Sequence, residues 1–287
     1  KPRTMNLLRL ISFSIYMTQS FSLDPISILN RFEERNHLYQ RICEKYNSTR
    51  RLEFKSLYED FHFDRTLQSL SGKFSFCIAE DGGKEDLISS MIPSFDLKHK
   101  DKKLIHKKKK VLVVVHPLIR ILSAYINFFV KGVSHQILSM KLKTYWSKDK
   151  STLVTIDSSG LETLSFKEFV AFLTECGYEY SESLLWMADG FAEPWTPLWY
   201  VCDVCKKKYD YIVHMETIHA DFDSLIHRQF YRNEKEVIKK VQRFYYSQLT
   251  QRDLIKLYQK YKLDFDLFGY TLEPFWTWAE DPCINPE

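Results

Sequence analysis

The sequence predicts an α/β protein with a mainly parallel central sheet flanked by helices. Three observations carry this. Val111 to Val115 is an unbroken β-branched and leucine run, the pattern of a strand buried on both faces of a parallel sheet. Lys73 to Ala79 alternates apolar and polar residues as a strand does. Each is followed by apolar residues at helical spacing. The 287 residues, 45% hydrophobic and 15% aromatic with only 8 Gly and 9 Pro, suit one compact domain of roughly 200–250 residues with short extensions. Residues 31–272 are expected to form it, after an N-terminal segment and stem (1–30) and before a C-terminal tail (273–287).

The elements follow in order. Met5 to Leu23, behind Lys1-Pro2-Arg3, reads as a signal or type II anchor or, because Arg9 and Gln19 interrupt the apolar stretch of about 20 residues that spans a bilayer, as a soluble amphipathic segment. Pro25 to Tyr46 places Ile28, Leu29, Phe32, Tyr39 and Ile42 at helical spacing and reads as a stem leading into the fold. After the first strand come Asp81-Gly82-Gly83 and a helix from Lys84 to Met91. The valine run leads into a helix with Pro117 in its first turn and Ile121, Leu122, Tyr125, Ile126 and Phe129 on its apolar face. Ser165 and Glu168 form a capping box for a helix through Cys176, and Tyr209 to Met215 reads as another inner strand. Thr250 with Asp253 opens a helix through Tyr261, and the chain closes on the segment Asp264 to Tyr270.

The net charge of +4 is modest, and composition does not call for a nucleic acid. One cluster stands out, Lys98 to Lys110, which fits a solvated loop before a strand or a contact for a polyanion such as an acidic glycan or membrane surface. Six cysteines and the sequon Asn47-Ser48-Thr49 are compatible with an oxidising lumen. Cys202 and Cys205 lack a second pair at metal-ligand spacing, so a disulfide role is preferred and no metal is expected.

Loops from a parallel strand into a helix are natural anion sites, because free backbone N–H groups and the helix dipole face the ligand. Gly82, Gly83 and Lys84 make one such loop, without the spacing of a Walker A motif. Arg120 and Ser123, three apart, share a helix face near the end of the second strand, where they could hold a phosphate; the same pair is also common on solvated helix faces.

Read in order, Trp195-Thr-Pro197, Cys202-Asp-Val-Cys205, Tyr209-Asp210-Tyr-Ile, Met215-Glu216-Thr217 and Asp221 resemble the carbohydrate sulfotransferase family that modifies chondroitin, dermatan and the HNK-1 epitope. Leu164 to Val170 and the close at Leu257-Tyr258 and Asp264 to Tyr270 extend the resemblance, which runs from about Arg35 to Tyr270. It implies a P-loop-like sulfotransferase fold and a Golgi membrane protein with its catalytic domain in the lumen. It also implies transfer of a sulfo group from 3′-phosphoadenosine 5′-phosphosulfate to a hydroxyl of a glycan or proteoglycan.

The family's donor motifs are altered here. Its Pro-Lys-x-x-x-Thr-Asn-Trp loop falls on Glu80, Asp81, Glu85, Asp86 and Leu87, which puts carboxylates where the 5′-phosphosulfate is held. Lys84 is the cation left in that loop. The family's Arg-Asp-Pro-x-x-Arg-x-x-Ser-x-Tyr reads Val115-His116-Pro117-Leu-Ile-Arg120-Ile-Leu-Ser123-Ala-Tyr125, without the leading arginine. Pro194 replaces the histidine of His-Trp-x-Pro, which leaves Lys84, His116 and Glu216 as candidate catalytic groups. Two functions follow: an active transferase using Gly82, Gly83, Lys84, Arg120 and Ser123 for the donor, or an inactive protein of the same fold serving as a binding or regulatory partner.

Overall fold

The computed structural model describes residues 25–49, 66–68, 74–78, 109–130, 155–156, 162–175, 195–218, 221 and 235–281. The central sheet has four strands in the order β1 (Thr66–Gln68), β2 (Phe74–Ile78), β3 (Lys109–Val114), β6 (Tyr211–His214). β2, β3 and β6 run parallel, and β1 lies antiparallel on β2. A separate two-stranded ribbon joins β4 (Thr155–Ile156) to β5 (Glu162–Thr163). The short strands β1, β4 and β5 carry no sequence pattern strong enough to announce them.

The valine run behaves as its composition requires. Val111, Leu112 and Val114 are completely buried, because alternate side chains enter two different cores. Phe76, Ile78, Val111, Val113 and Val213 face the larger core, with α2 (Pro117–Tyr125), α3 (Phe166–Glu175), α5 (Lys235–Tyr246), α6 (Gln251–Phe268) and α7 (Phe275–Trp278). Cys77, Leu112, Val114 and Ile212 face the smaller one, with α1 (Pro25–Thr49), α4 (Leu198–Val201) and the end of α6. Beyond Tyr125, α2 runs into a π-helical turn at Ile126–Val130.

The predicted capping box is present, and the helix opened by Thr250 starts with another. Ser165 and Glu168 exchange hydrogen bonds ahead of α3, and Thr250 and Asp253 do so at the start of α6. Three expectations change. The helix opened by Thr250 continues to Phe268, because Leu254, Leu257, Tyr261, Phe265 and Phe268 keep helical spacing along a buried face. It stops at Gly269, whose φ of 68° needs a residue without a Cβ and which Leu38 of α1 approaches closely. α1 is part of the domain rather than a stem, since Phe32, Tyr39 and Cys43 are buried against the sheet and its connections. Packing also runs past residue 272 into the expected tail, where Phe275 is buried and the Glu280 N–H donates to the Leu249 carbonyl.

Two disulfides join Cys43 to Cys205 and Cys77 to Cys202. The turn between Cys202 and Cys205 places Asp203 at a φ of 50°, in the left-handed region that Asp tolerates better than most residues. One short segment is thereby stapled to both α1 and β2. Among the described residues, no helix is long and apolar enough to cross a membrane. The segment Met5 to Leu23 and most of Lys98 to Lys110 lie outside them.

Candidate functional site at the carboxyl edge of the sheet

Because β2, β3 and β6 are parallel, their carboxyl ends share one edge, the usual position for a ligand in an open α/β sheet. β3 ends there at Val114, and after Val115 and His116 α2 begins. His116 caps that helix: Nδ1 accepts from the Leu118 N–H at 3.2 Å, and Nε2 donates to the Thr271 carbonyl at 2.8 Å. Its ring lies among Phe265, Tyr270 and Phe275, with centroids 5.4, 4.9 and 4.9 Å away. Burial lowers its pKa to about 4, so the imidazole is neutral near pH 7.

Glu216 follows β6 in a 3₁₀ turn, Met215–Thr217. One carboxylate oxygen accepts from the His116 N–H at 2.8 Å and the other from the Tyr270 hydroxyl at 2.9 Å. Burial raises its pKa, and those hydrogen bonds pull it back. The structure therefore brings two predicted candidates together, His116 and Glu216, and binds both into the protein. They join the turns after β3 and β6 to the end of α6.

Arg120 is 2% exposed and Ser123 is fully buried. The guanidinium of Arg120 donates to the Thr196 carbonyl, and the Ser123 hydroxyl accepts from Asn127 at 3.4 Å. Arg120 belongs to a clamp on residues 195–199. Asp264 of α6 accepts from the Leu198 and Trp199 N–H groups, both at 2.8 Å, and the Tyr261 hydroxyl donates to the Trp195 carbonyl. Burial raises Asp264 to about 6, opposed by those amides and by the charge of Arg120.

A third assembly sits beside β6. Asp221, completely buried, accepts from Arg31 at 2.8 Å, Arg35 at 2.6 Å and Thr217 at 2.7 Å. Arg35 also donates to Thr217 and to the Ile212 carbonyl. His214, at the end of β6, packs on Tyr270 and is held well below an ordinary histidine pKa by burial, then by Arg35, Arg31 and His116. In the sequence Asp221 and Asp264 stand out only as parts of motifs and Arg31 belongs to none; the four-residue spacing of Arg31 and Arg35 on one helix face is the signal that marks it. Gly82, Gly83 and Lys84 lie outside the described residues. Among the described residues, no group of three or more His, Cys, Asp or Glu side chains is gathered around a potential metal site.

The family model described as "Sulfotransferase family" matches residues 84–271, well over half of the chain. This chain belongs to the sulfotransferase family. It is 27% identical over 230 residues to carbohydrate sulfotransferase 14 of Danio rerio, covering 74% of this chain and 57% of that protein. It is also 27% identical to carbohydrate sulfotransferase 10 of Xenopus laevis over 177 residues (56% and 47%) and to carbohydrate sulfotransferase 12 of the same organism over 188 residues (60% and 42%). The chain thus spans about half the length of these curated relatives. No solved structure matches it. In this sulfotransferase-family chain, Val115 directly follows the carboxyl end of β3 with an apolar, buried side chain. Arg120 and Ser123 follow it into the core, so neither offers a side chain to solvent.

Proposed function

We propose that this sulfotransferase-family chain acts on carbohydrate, passing the sulfo group of 3′-phosphoadenosine 5′-phosphosulfate to a hydroxyl of a glycan or proteoglycan. The observation that carries the reading is the common edge at which β2, β3 and β6 end, where β3 turns directly into α2. That arrangement suits an anionic nucleotide. The family match and the carbohydrate sulfotransferases among its relatives support the choice of chemistry. The two disulfides favour an oxidising compartment, consistent with a luminal, Golgi-type setting.

The engagement of His116, Glu216, Arg120 and Ser123 within the protein narrows the reading. In this arrangement the donor is held by the Gly82-Gly83-Lys84 loop and by backbone amides, and neither His116 nor Glu216 is the base. The same engagement favours a second reading, a sulfotransferase fold retained as an inactive partner for a glycan or a protein. Calorimetric titration with 3′-phosphoadenosine 5′-phosphate separates the two. Micromolar binding that Lys84→Ala weakens at least ~tenfold supports the transferase and justifies an acceptor screen. No binding at millimolar nucleotide, in a protein shown to be folded, sinks it in favour of the second reading.

A further inference from the structure

β6 is an outer strand of the described sheet, and its free edge meets α1 rather than another strand. Asn36 donates to the Asp210 carbonyl at 2.7 Å, and Arg35 donates to the Ile212 carbonyl at 3.0 Å. Asp221, ion-paired with Arg31 and Arg35, accepts from the His214 N–H at 3.4 Å. Residues 210, 212 and 214 alternate along the chain, so their outward backbone groups form one row, and side chains take the place of a neighbouring strand along it. Farther along α1, the single proton of the Tyr39 hydroxyl is shared between the Val204 and Lys207 carbonyls, 2.8 and 2.7 Å away, and Cys43 bonds to Cys205.

We propose that α1 is a redox-locked strap: reduction of Cys43–Cys205 releases it from the edge of β6 while the rest of the domain stays folded. Three features make the strap separable. Phe32, Tyr39 and Cys43 are the buried side chains described for its 25 residues; Leu38, Ile42 and Tyr46 add only partly buried apolar contacts, and hydrogen bonds and ion pairs supply much of the remaining hold. The two disulfides differ in access at one sulfur: Cys43 is 7% exposed but its partner Cys205 is only half-buried, whereas Cys77 and Cys202 are 4% and 0% exposed. A thiolate needs a path to sulfur, so the outer bond is reduced first. Finally, Cys77–Cys202 fastens the residue 202 turn to β2 independently of α1. A small dithiol supplies the electrons: the Cys43–Cys205 bond breaks, each cysteine sulfur gains one electron and one proton, and the dithiol leaves as its cyclic disulfide.

The consequence lies at the carboxyl edge. Arg35 and Asp221 together hold Thr217, next to Glu216 and the turn that meets His116. Release of the strap therefore uncovers the β6 edge and loosens that turn, coupling the redox state of the surroundings to the sheet end. The inference rests on this geometry and not on the proposed sulfo transfer.

Hydrogen exchange followed by mass spectrometry on the full chain tests it, with dithiothreitol titrated until mass mapping shows Cys43–Cys205 open and Cys77–Cys202 closed. The expected result is at least tenfold faster exchange in α1 and at the outward amides of β6, with β3 unchanged. The Cys43→Ser, Cys205→Ser double variant should reproduce this without reductant. Adding Arg35→Lys to that variant should speed exchange in α1 further, since lysine cannot bond Ile212, Thr217 and Asp221 together. Unchanged protection of α1 with the bond open would show that the non-covalent contacts suffice and would overturn the proposal. Loss of protection in α1 and β3 together, or opening of both disulfides at the same dithiol concentration, would overturn it as well.

Discussion

Adjacent residues of α6 fix two parts of the site by opposite means. Asp264 holds residues 195–199 through two amides, beside the buried Arg120. Phe265, the next residue, packs edge-on against His116 at the head of α2. The first is a charged clamp, in which each partner stays buried only because the others are there. The second is an aromatic cage that admits a neutral imidazole and penalises a charged one. The contrast teaches that motif residues at one sheet edge can be fixed by the fold, with their polar atoms already committed, however catalytic they look in sequence.

The largest effect should come from breaking the clamp. Asp264→Ala removes the carboxylate facing Arg120 and strands the Leu198 and Trp199 amides, and chemical denaturation should show a loss of about 3–5 kcal/mol. An equal loss from Phe265→Leu, which keeps most of the apolar volume, would erase the distinction between clamp and cage.

The pH dependence sharpens the same comparison, because the two groups act with opposite sign. His116 has a pKa of about 4 when folded against 6.5 unfolded, so between those values the unfolded chain holds more protons and stability rises with pH. Asp264, at about 6 folded against 3.8 unfolded, holds its proton in the folded state, and stability falls as pH rises through that window. Comparing wild type with His116→Asn and with Asp264→Asn from pH 4 to 7 should give difference curves of opposite slope. Each slope has a ceiling of about 1.4 kcal/mol per pH unit. Parallel curves would mean that one assignment is wrong.

Smaller effects test the cage and its surroundings. Tyr246→Phe deletes a hydroxyl that donates to the Leu118 carbonyl at 2.6 Å in a fully buried position, and should cost about 1–2 kcal/mol in thermal or chemical denaturation. Lys262→Ala breaks an exposed pair with Asp266 on the far side of α6 and should change stability by no more than about 0.5 kcal/mol. A larger change there would mean that the outer face of α6 contributes to the clamp.

Most of this framework was legible in the sequence. The valine run, the capping box at Ser165, the helix start at Thr250 and the inner strand at Tyr211 are local patterns, set by burial period and by end chemistry that neighbours in sequence supply. The site was only partly legible. Arg120 and Ser123 were found as a pair on one helix face, but spacing does not say whether that face meets solvent or core. It meets the core. Arg31 and Arg35 went largely unremarked because their partner, Asp221, lies nearly two hundred residues away.

The sequence by itself determined the fold class, the family and the order of strand, turn and helix, because hydrophobic period and motif spacing are properties of neighbouring residues. Only the tertiary structure decided which cysteines pair, that α1 belongs to the domain, and that His116 and Glu216 hold the sheet edge together. Those outcomes depend on groups brought together across a hundred residues or more, where desolvation and hydrogen-bond geometry, invisible in a linear pattern, set each side chain's role.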